Sequence, residues 1–276
     1  MKGLDWIGDA QTRGVARRAA KLVLIVVPLA YVFPKFVLFY IACAIYDVSR
    51  NSERTPEVLE KYFLRDGLPV WLLSPVNALL DLLSLPYVNK GVYKLDDLPP
   101  EHQGEIARLI ESARRQDLVG RLQMAASAQK RSMFFFKFYG TNVETVAHIP
   151  EFHENYKHIV TIGVSVFNKR QSVSKHFGPL RASFRVLYNI NDMTDDSAYI
   201  VVGNTTNYWR ENKLFIFDDT LLHQSFNESD LPRYCLFVDI VRPTMMPSAF
   251  KYFICAIGNL TAQGANKRFY TQWKVF

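Results

Sequence analysis

Cysteine is scarce in this 276-residue chain. Its three thiols, Cys43, Cys235 and Cys255, are too few and too scattered for a disulfide framework or for zinc-ligand spacing. A reducing compartment fits that usage. Internal repeats and low-complexity tracts are missing, which excludes a solenoid, and with 49% hydrophobic and 21% charged residues the chain has too much apolar material to be disordered. No Lys/Arg-rich stripe recurs in the body of the sequence, so nucleic acid is excluded as a partner. Nothing calls for an obligate protein partner either.

What is present is lopsided. The net charge is +7, and residues 1–50 hold seven basic and three acidic side chains, so +4 of it lies in under a fifth of the chain. Beside that basic start, residues 22–46 read LVLIVVPLAYVFPKFVLFYIACAIY. Twenty-five helical residues at about 1.5 Å each exceed a hydrocarbon core of about 30 Å, so a membrane segment is predicted. The run is too long for a removable signal peptide, and no small-residue cleavage pattern follows it. Pro28, Pro34 and Lys35 leave a kinked span and a re-entrant hairpin both open. Basic residues flank both ends, so charge hardly fixes orientation; the hairpin puts both flanks in the cytoplasm.

Three further regions follow. Residues 51–130 carry helix signals: a Thr-Pro start at Thr55 and Pro56, an apolar segment broken by Pro75, and an amphipathic run opened by Pro99 and Pro100. They predict a helical platform lying against the membrane surface or the remaining domain. Residues 131–245 change period, with short segments such as IVTIGVSVF, ASFRVLYNI and RYCLFVDI set between Gly, Pro, Asn and Asp clusters. An antiparallel sandwich or barrel is predicted. The tail, 246–276, contains SAFKYFICAIGNL, too short to cross a bilayer and suited to an interfacial or domain-covering helix. His148, His153 and His158 recur at five-residue spacing, which fits a solvated loop rather than one helix face.

Two of the six histidines, His176 and His223, lie beside strands, and in a small jelly roll residues 47 apart can converge on one metal ion. Arg233 opens a strand on which 233, 235, 237 and 239 share a face. Arg185 shares a face with Ser183 and Leu187, opposite Phe184, Val186, Tyr188 and Ile190. Two guanidiniums aimed into one barrel call for an anionic ligand. Lone histidines are common, and this pattern alone leaves a structural role open.

The motifs narrow it. HFGP at 176–179, FR at 184–185, FDDTLLH at 217–223 and RYCLFVDIVRP at 233–243 resemble the aspartyl/asparaginyl β-hydroxylase family of iron and 2-oxoglutarate dioxygenases. The resemblance covers 134–243. It extends to the membrane-bound lipid A and ornithine-lipid hydroxylase branch through the N-terminal apolar run, SPVNALLDLLSLPYV at 74–88 and FFKFYG at 135–140. It implies a double-stranded β-helix in which His176 and His223 bind Fe(II), with Ser165, Arg185 and Arg233 contacting 2-oxoglutarate and O2 as the oxidant. Asp219 matches a carboxylate that lies near the metal through water. Gly178 stands where other such oxygenases have a ligand carboxylate, and Leu187 where the family usually has a co-substrate-binding histidine. The implied activity is hydroxylation of a lipid acyl chain at a membrane, with the catalytic domain in the cytoplasm. A peptidyl aspartyl/asparaginyl hydroxylase, a halogenase and a non-catalytic membrane protein retaining the barrel are the competing readings.

Overall fold

A computed structural model describes residues 4–52, 54–65, 68–269 and 273–276, with side chains for 13–52, 54–65, 70–258 and 273–276. Seven helices come first: α1 (Leu4–Val32), α2 (Pro34–Ser49), α3 (Pro56–Leu64), α4 (Leu68–Leu72), α5 (Ser74–Leu83) and, after the short strand β1 (Val92–Tyr93), α6 (Pro100–Arg115) and α7 (Leu118–Ser127). Prolines mark the starts of α2, α3, α5 and α6. Thr55 caps α3 by accepting the Val58 amide at 3.3 Å, and Pro75 and Pro100 sit in the first turns of α5 and α6, where a missing N–H goes unnoticed.

The apolar run of 22–46 is not one helix. It breaks at Phe33, whose φ of −129° and ψ of 61° are non-helical, because Pro34 cannot donate into the preceding turn and instead begins α2. Among the described residues no helix is long and apolar enough to cross a membrane, so a single spanning helix is not found there. The halves remain apolar on the outside. Val37, Ala44 and Val48 of α2 are buried, whereas Phe36, Leu38, Phe39, Ile41 and Ile45 are exposed.

The strands are β2 (Arg131–Phe138), β3 (Thr141–Asn142), β4 (Ile159–Phe167), β5 (Gln171–Ser172), β6 (Ser183–Asn189), β7 (Ala198–Val202), β8 (Thr205–Tyr208), β9 (Leu214–Phe217), β10 (His223–Asn227) and β11 (Arg233–Val241). One sheet runs β1-β9-β6-β11-β4-β2 and the other β5-β10-β7-β8. From β4 to β11 the chain steps between the two sheets, giving four antiparallel strands in each, β9-β6-β11-β4 facing β5-β10-β7-β8. That is the double-stranded β-helix, a jelly roll. Burial explains the sequence texture. β4 and β11 are covered on both faces and read as nearly continuous apolar runs; β7 and β10 alternate.

The large sheet separates two cores. Outside it, Leu109, Leu118 and Leu122 of α6 and α7 pack on Phe134, Ile162 and Leu236. Between the sheets, Met133, Leu187, Ile200, Phe215, Cys235 and Trp209 line the interior. The tail forms α8 (Pro247–Phe269), then β12 (Lys274–Val275), which joins β2 in parallel; this strand was not foreseen. Side chains of 259–272, including the end of the predicted interfacial run, lie outside the described residues. His158 is not in a solvated loop: it is buried and stacks on His102, with ring centroids 3.8 Å apart.

Candidate active site

His176 and His223 meet by backbone pairing. Each donates its amide to the other's carbonyl at 3.0 Å, forming an isolated antiparallel bridge. In the register of β5 against β10, where Ser172 faces Phe226, Lys175 would stand opposite His223; a one-residue slip brings His176 there instead. The two rings then lie side by side, 4.2 Å between centroids. His176 Nδ1 lies 2.9 Å from the Ser174 carbonyl and His223 Nδ1 2.8 Å from that of Leu221. A carbonyl only accepts, so each Nδ1 carries a hydrogen, which leaves Nε2 as the nitrogen of each ring able to face a metal. Burial, and then His176 beside it, hold the His223 pKa well below the ordinary histidine value, so its ring is neutral. Among the described residues no three His, Cys, Asp or Glu side chains gather as a metal-binding group, so these rings stand as a pair.

They face a cavity of about 360 Å³ between the sheets. Ser165, Arg185, Asp219 and Arg233 all line it, so the residues singled out from the sequence converge on one space. Its remaining wall is largely apolar, including Leu73, Phe138, Leu180, Leu187 and Ile254.

Gly178 and Asp219 share one spot beside the histidines. A Cβ on Gly178 would stand 2.5 Å from the Asp219 carboxyl carbon, so the space a side chain would take at 178 is filled by the Asp219 carboxylate. Arg185 fixes that carboxylate. Its Nη2 donates to Asp219 at 3.0 Å, its Nε to Asp239 at 2.6 Å, and its guanidinium lies 3.8 Å above the Phe237 ring centroid. Burial raises the Asp219 pKa to about 7 against the pull of Arg185, with Asp239 and Asp218 raising it further. The side chain is 13% exposed, toward the cavity, so this is the desolvation of a wall rather than of packed interior.

Arg233 lies on central strand β11 and is only 1% exposed. No carboxylate among the described residues pairs with it. Its Nη1 donates to Ser225 Oγ at 2.9 Å, its Nε is buried with no partner, and the rings of Phe167 and Trp209 flank it, 4.3 and 5.4 Å from the guanidinium carbon. An enclosed charge with an unsatisfied donor on a cavity wall needs an anion. Ser165 lines the same cavity, but its hydroxyl donates to the Cys235 carbonyl at 3.3 Å; the hydroxyl on Arg233 belongs to Ser225. Ser225 was missed, although it lies two residues after His223 on the same strand face.

Behind the site is an ion cluster that sequence reading also missed. Arg181, 1% exposed, reaches Asp47 of α2 at 2.5 Å, Asp81 of α5 at 2.9 Å and Asp218 at 3.4 Å. Arg50 pairs with Asp218 at 3.0 Å, Asn89 donates to it at 2.7 Å, and Arg242 pairs with Asp81. Three arginines balance three aspartates and tie the platform to the 218–223 loop that carries Asp219 and His223. Asp218 also accepts the Thr220 amide at 2.9 Å and so closes the turn after β9. Burial works against its charge, but Arg181 and Arg50 outweigh it and hold its pKa at about 2.

Comparison with known proteins agrees with the motifs. Residues 104–243 match the family described as aspartyl/asparaginyl beta-hydroxylase. An ornithine lipid ester-linked acyl 2-hydroxylase of Rhizobium tropici is 34% identical over 93 residues, 33% of each chain. The human aspartate beta-hydroxylase domain-containing protein 2 is 29% identical over 85 residues, 30% of this chain and 22% of that one. The matched stretch thus spans a third or less of these relatives. Among solved structures, a salicylate 1,2-dioxygenase of Pseudaminobacter salicylatoxidans aligns with a TM-score of 0.30 at 10% identity, over 48% of this chain and 34% of that one. TT1209 of Thermus thermophilus aligns at 0.27 and 15%, over 41% and 86%. With half the sequence matching the family and the paired histidines and Arg233 facing one barrel cavity, this chain belongs to the aspartyl/asparaginyl β-hydroxylases.

Proposed function

We propose that the chain is an Fe(II)- and 2-oxoglutarate-dependent dioxygenase that hydroxylates the acyl chain of a membrane lipid. One observation carries this reading: two adjoining imidazoles and a buried arginine that meets no carboxylate among the described residues face the same small cavity. The donor set fits the group. His176 and His223 would hold Fe(II) through Nε2, and the orphaned Nε of Arg233 suits the distal carboxylate of 2-oxoglutarate, with Ser225 and Ser165 on the same wall. Iron with its co-substrate and O2 supplies an oxidant able to take hydrogen from an unactivated C–H bond.

The protein's own tasks are binding, orientation and exclusion of water. Arg233 selects a dianion by leaving its charge unmatched until one enters. Arg185, its charge balanced by Asp219 and Asp239, is assigned to holding the Asp219 carboxylate beside the histidines, within reach of the co-substrate. Leu73, Phe138, Leu180, Leu187 and Ile254 give the space beyond the histidines an apolar lining suited to methylenes rather than to an acidic peptide.

The platform supports membrane contact. Exposed Phe36, Phe39 and Ile41 of α2, Leu79 and Leu82 of α5, and Val88 form an apolar surface, and Leu73, at the start of α5, also lines the cavity. Each CH₂ kept out of water is worth about 0.8 kcal/mol, so such a surface favours lying on a bilayer whose acyl chains the cavity can reach. The test is incubation of the purified chain with Fe(II) and 2-oxoglutarate and either lipid extract or acidic peptides. Succinate formed together with one oxygen atom gained by an acyl chain is expected; oxygen gained by peptide alone would replace this reading with the peptidyl one.

A further inference from the structure

Tyr139 lines the active-site cavity and also a second pocket of about 180 Å³, shared with Lys137, Asn155, Tyr156, Lys251 and Cys255. A bulge in β2 sets Lys137 there. Phe135 pairs with Gly163 and Lys137 with the next residue, Ile162, so Phe136 is the extra residue. Met133 and Phe135 belong to the core between the sheets before the bulge, and Phe138 packs on it afterwards. Lys137 therefore turns with Phe134 and Phe136 to the other side, 4% exposed, and donates its ammonium to the Glu154 carbonyl at 2.7 Å.

Lys251 reaches the same segment from α8 and donates to the Tyr156 carbonyl. Neither ammonium pairs with a carboxylate among the described residues. Of the acids nearby, Glu154 pairs with Arg108 at 3.4 Å and Glu105 accepts the amides of Lys157 and His158, while Glu151, whose Oε2 is buried without a partner, bonds neither lysine. Burial, and then the positive charge of Lys251, lower the Lys137 pKa. An ammonium has three donors and each carbonyl takes one, so both lysines have hydrogen bonds left to give. The helix that brings Lys251 is held close, since a Cβ on Gly258 would meet Tyr139 Cβ at 2.2 Å. The same end of α8 exposes Tyr252, and Met245 and Met246 just before it, to solvent.

We propose that Lys137 and Lys251 form an oxyanion pocket that receives the acidic head group, phosphate or carboxylate, of the lipid whose acyl chain enters the cavity past Tyr139. The head-group assignment rests on the lipid reading above; the anion pocket does not. Binding is measured on the full-length, metal-free chain, which separates it from catalysis. Phosphorus NMR titration with inorganic phosphate tests for a soluble anion. Co-sedimentation with phosphatidylcholine vesicles, with and without phosphatidic acid, tests for a head group.

Each of Lys251→Gln and Lys137→Gln should reduce the preference for phosphatidic acid about fivefold, and Lys251→Arg should restore most of it. The basic N-terminus is common to all variants and cancels. Should Lys137→Gln fail to fold, the partly exposed Lys251 carries the measurement. Unchanged vesicle preference and unchanged phosphate binding overturn the proposal. Phosphate binding lost with vesicle preference intact overturns the head-group assignment and leaves a pocket for a soluble anion. A lysine-dependent lipid preference in a chain that oxidises only peptides overturns the lipid hydroxylation instead.

Discussion

Two arginines, Arg181 and Arg233, are equally buried at 1% exposed and are treated in opposite ways. Arg181 meets three carboxylates and belongs to a cluster whose three positive and three negative charges cancel. Arg233 meets a serine hydroxyl and two aromatic faces. The first arrangement closes a joint between helices and barrel. The second leaves a charge waiting, which a fold tolerates only where something of opposite sign will arrive. Where the protein places counter-ions thus separates its framework from its binding site.

The largest effect should come from the histidine pair. His176→Ala or His223→Ala is expected to lower iron binding and hydroxylation by at least about a hundredfold, as read by metal analysis and succinate release. The comparison itself breaks if the two arginines respond alike. Arg181→Met leaves buried Asp47 without its arginine and the cluster one positive charge short, and should cost about 3–5 kcal/mol in denaturant unfolding, whereas Arg233→Met should leave stability unchanged or higher and weaken 2-oxoglutarate binding by about 2–5 kcal/mol. Gly178→Ala pushes its Cβ into the Asp219 carboxylate, and a loss of turnover of about 10–100-fold with iron content retained is expected.

Acid should destabilise the fold through the ion cluster. Asp218, bonded to Arg50, Thr220 and Asn89 and facing Arg181 with Asp47 and Asp81 behind it, has a folded pKa depressed to about 2 from 3.8. Its contribution is complete above pH 3.8 and is lost as pH falls through about 2; roughly 2 kcal/mol is at stake. Between pH 5 and 2 the unfolding free energy should fall by about that much more in the parent chain than in Asp218→Asn, since Asp81 and Glu101, whose pKa values are also lowered, titrate in both. Smallest in stability, Phe39→Ser on the outer side of α2 should change unfolding by less than about 0.5 kcal/mol while reducing vesicle binding.

Much of this was legible because strands advertise themselves every second residue. The faces of β6 and β11 were readable: Arg185 with Ser183 and Leu187, and Arg233 with Phe237 and Asp239, all line the cavity. The motifs around His176 and His223 identified the family. What escaped reading was set by pairings that no local pattern encodes. Arg181 finds Asp47 across 134 positions of chain, and Asp81 across 100. Lys137 changes sides because of a single extra residue, and His158 is enclosed because His102 of α6 comes to lie on it. The apolar run at 22–46 misled for a simpler reason: its hydropathy says that it avoids water, but the break at Phe33 divides the length on which the spanning expectation stood.

His176 lies outside every regular strand and is stitched to His223 by two amide hydrogen bonds. The stitch that aligns the rings is also the seam joining the 173–176 segment to β10, so gripping an ion and fastening the barrel's rim become one event. A cation taken up there should slow amide exchange at His176 and His223 together, and stripping it should let that edge fray while the strands behind keep their protection.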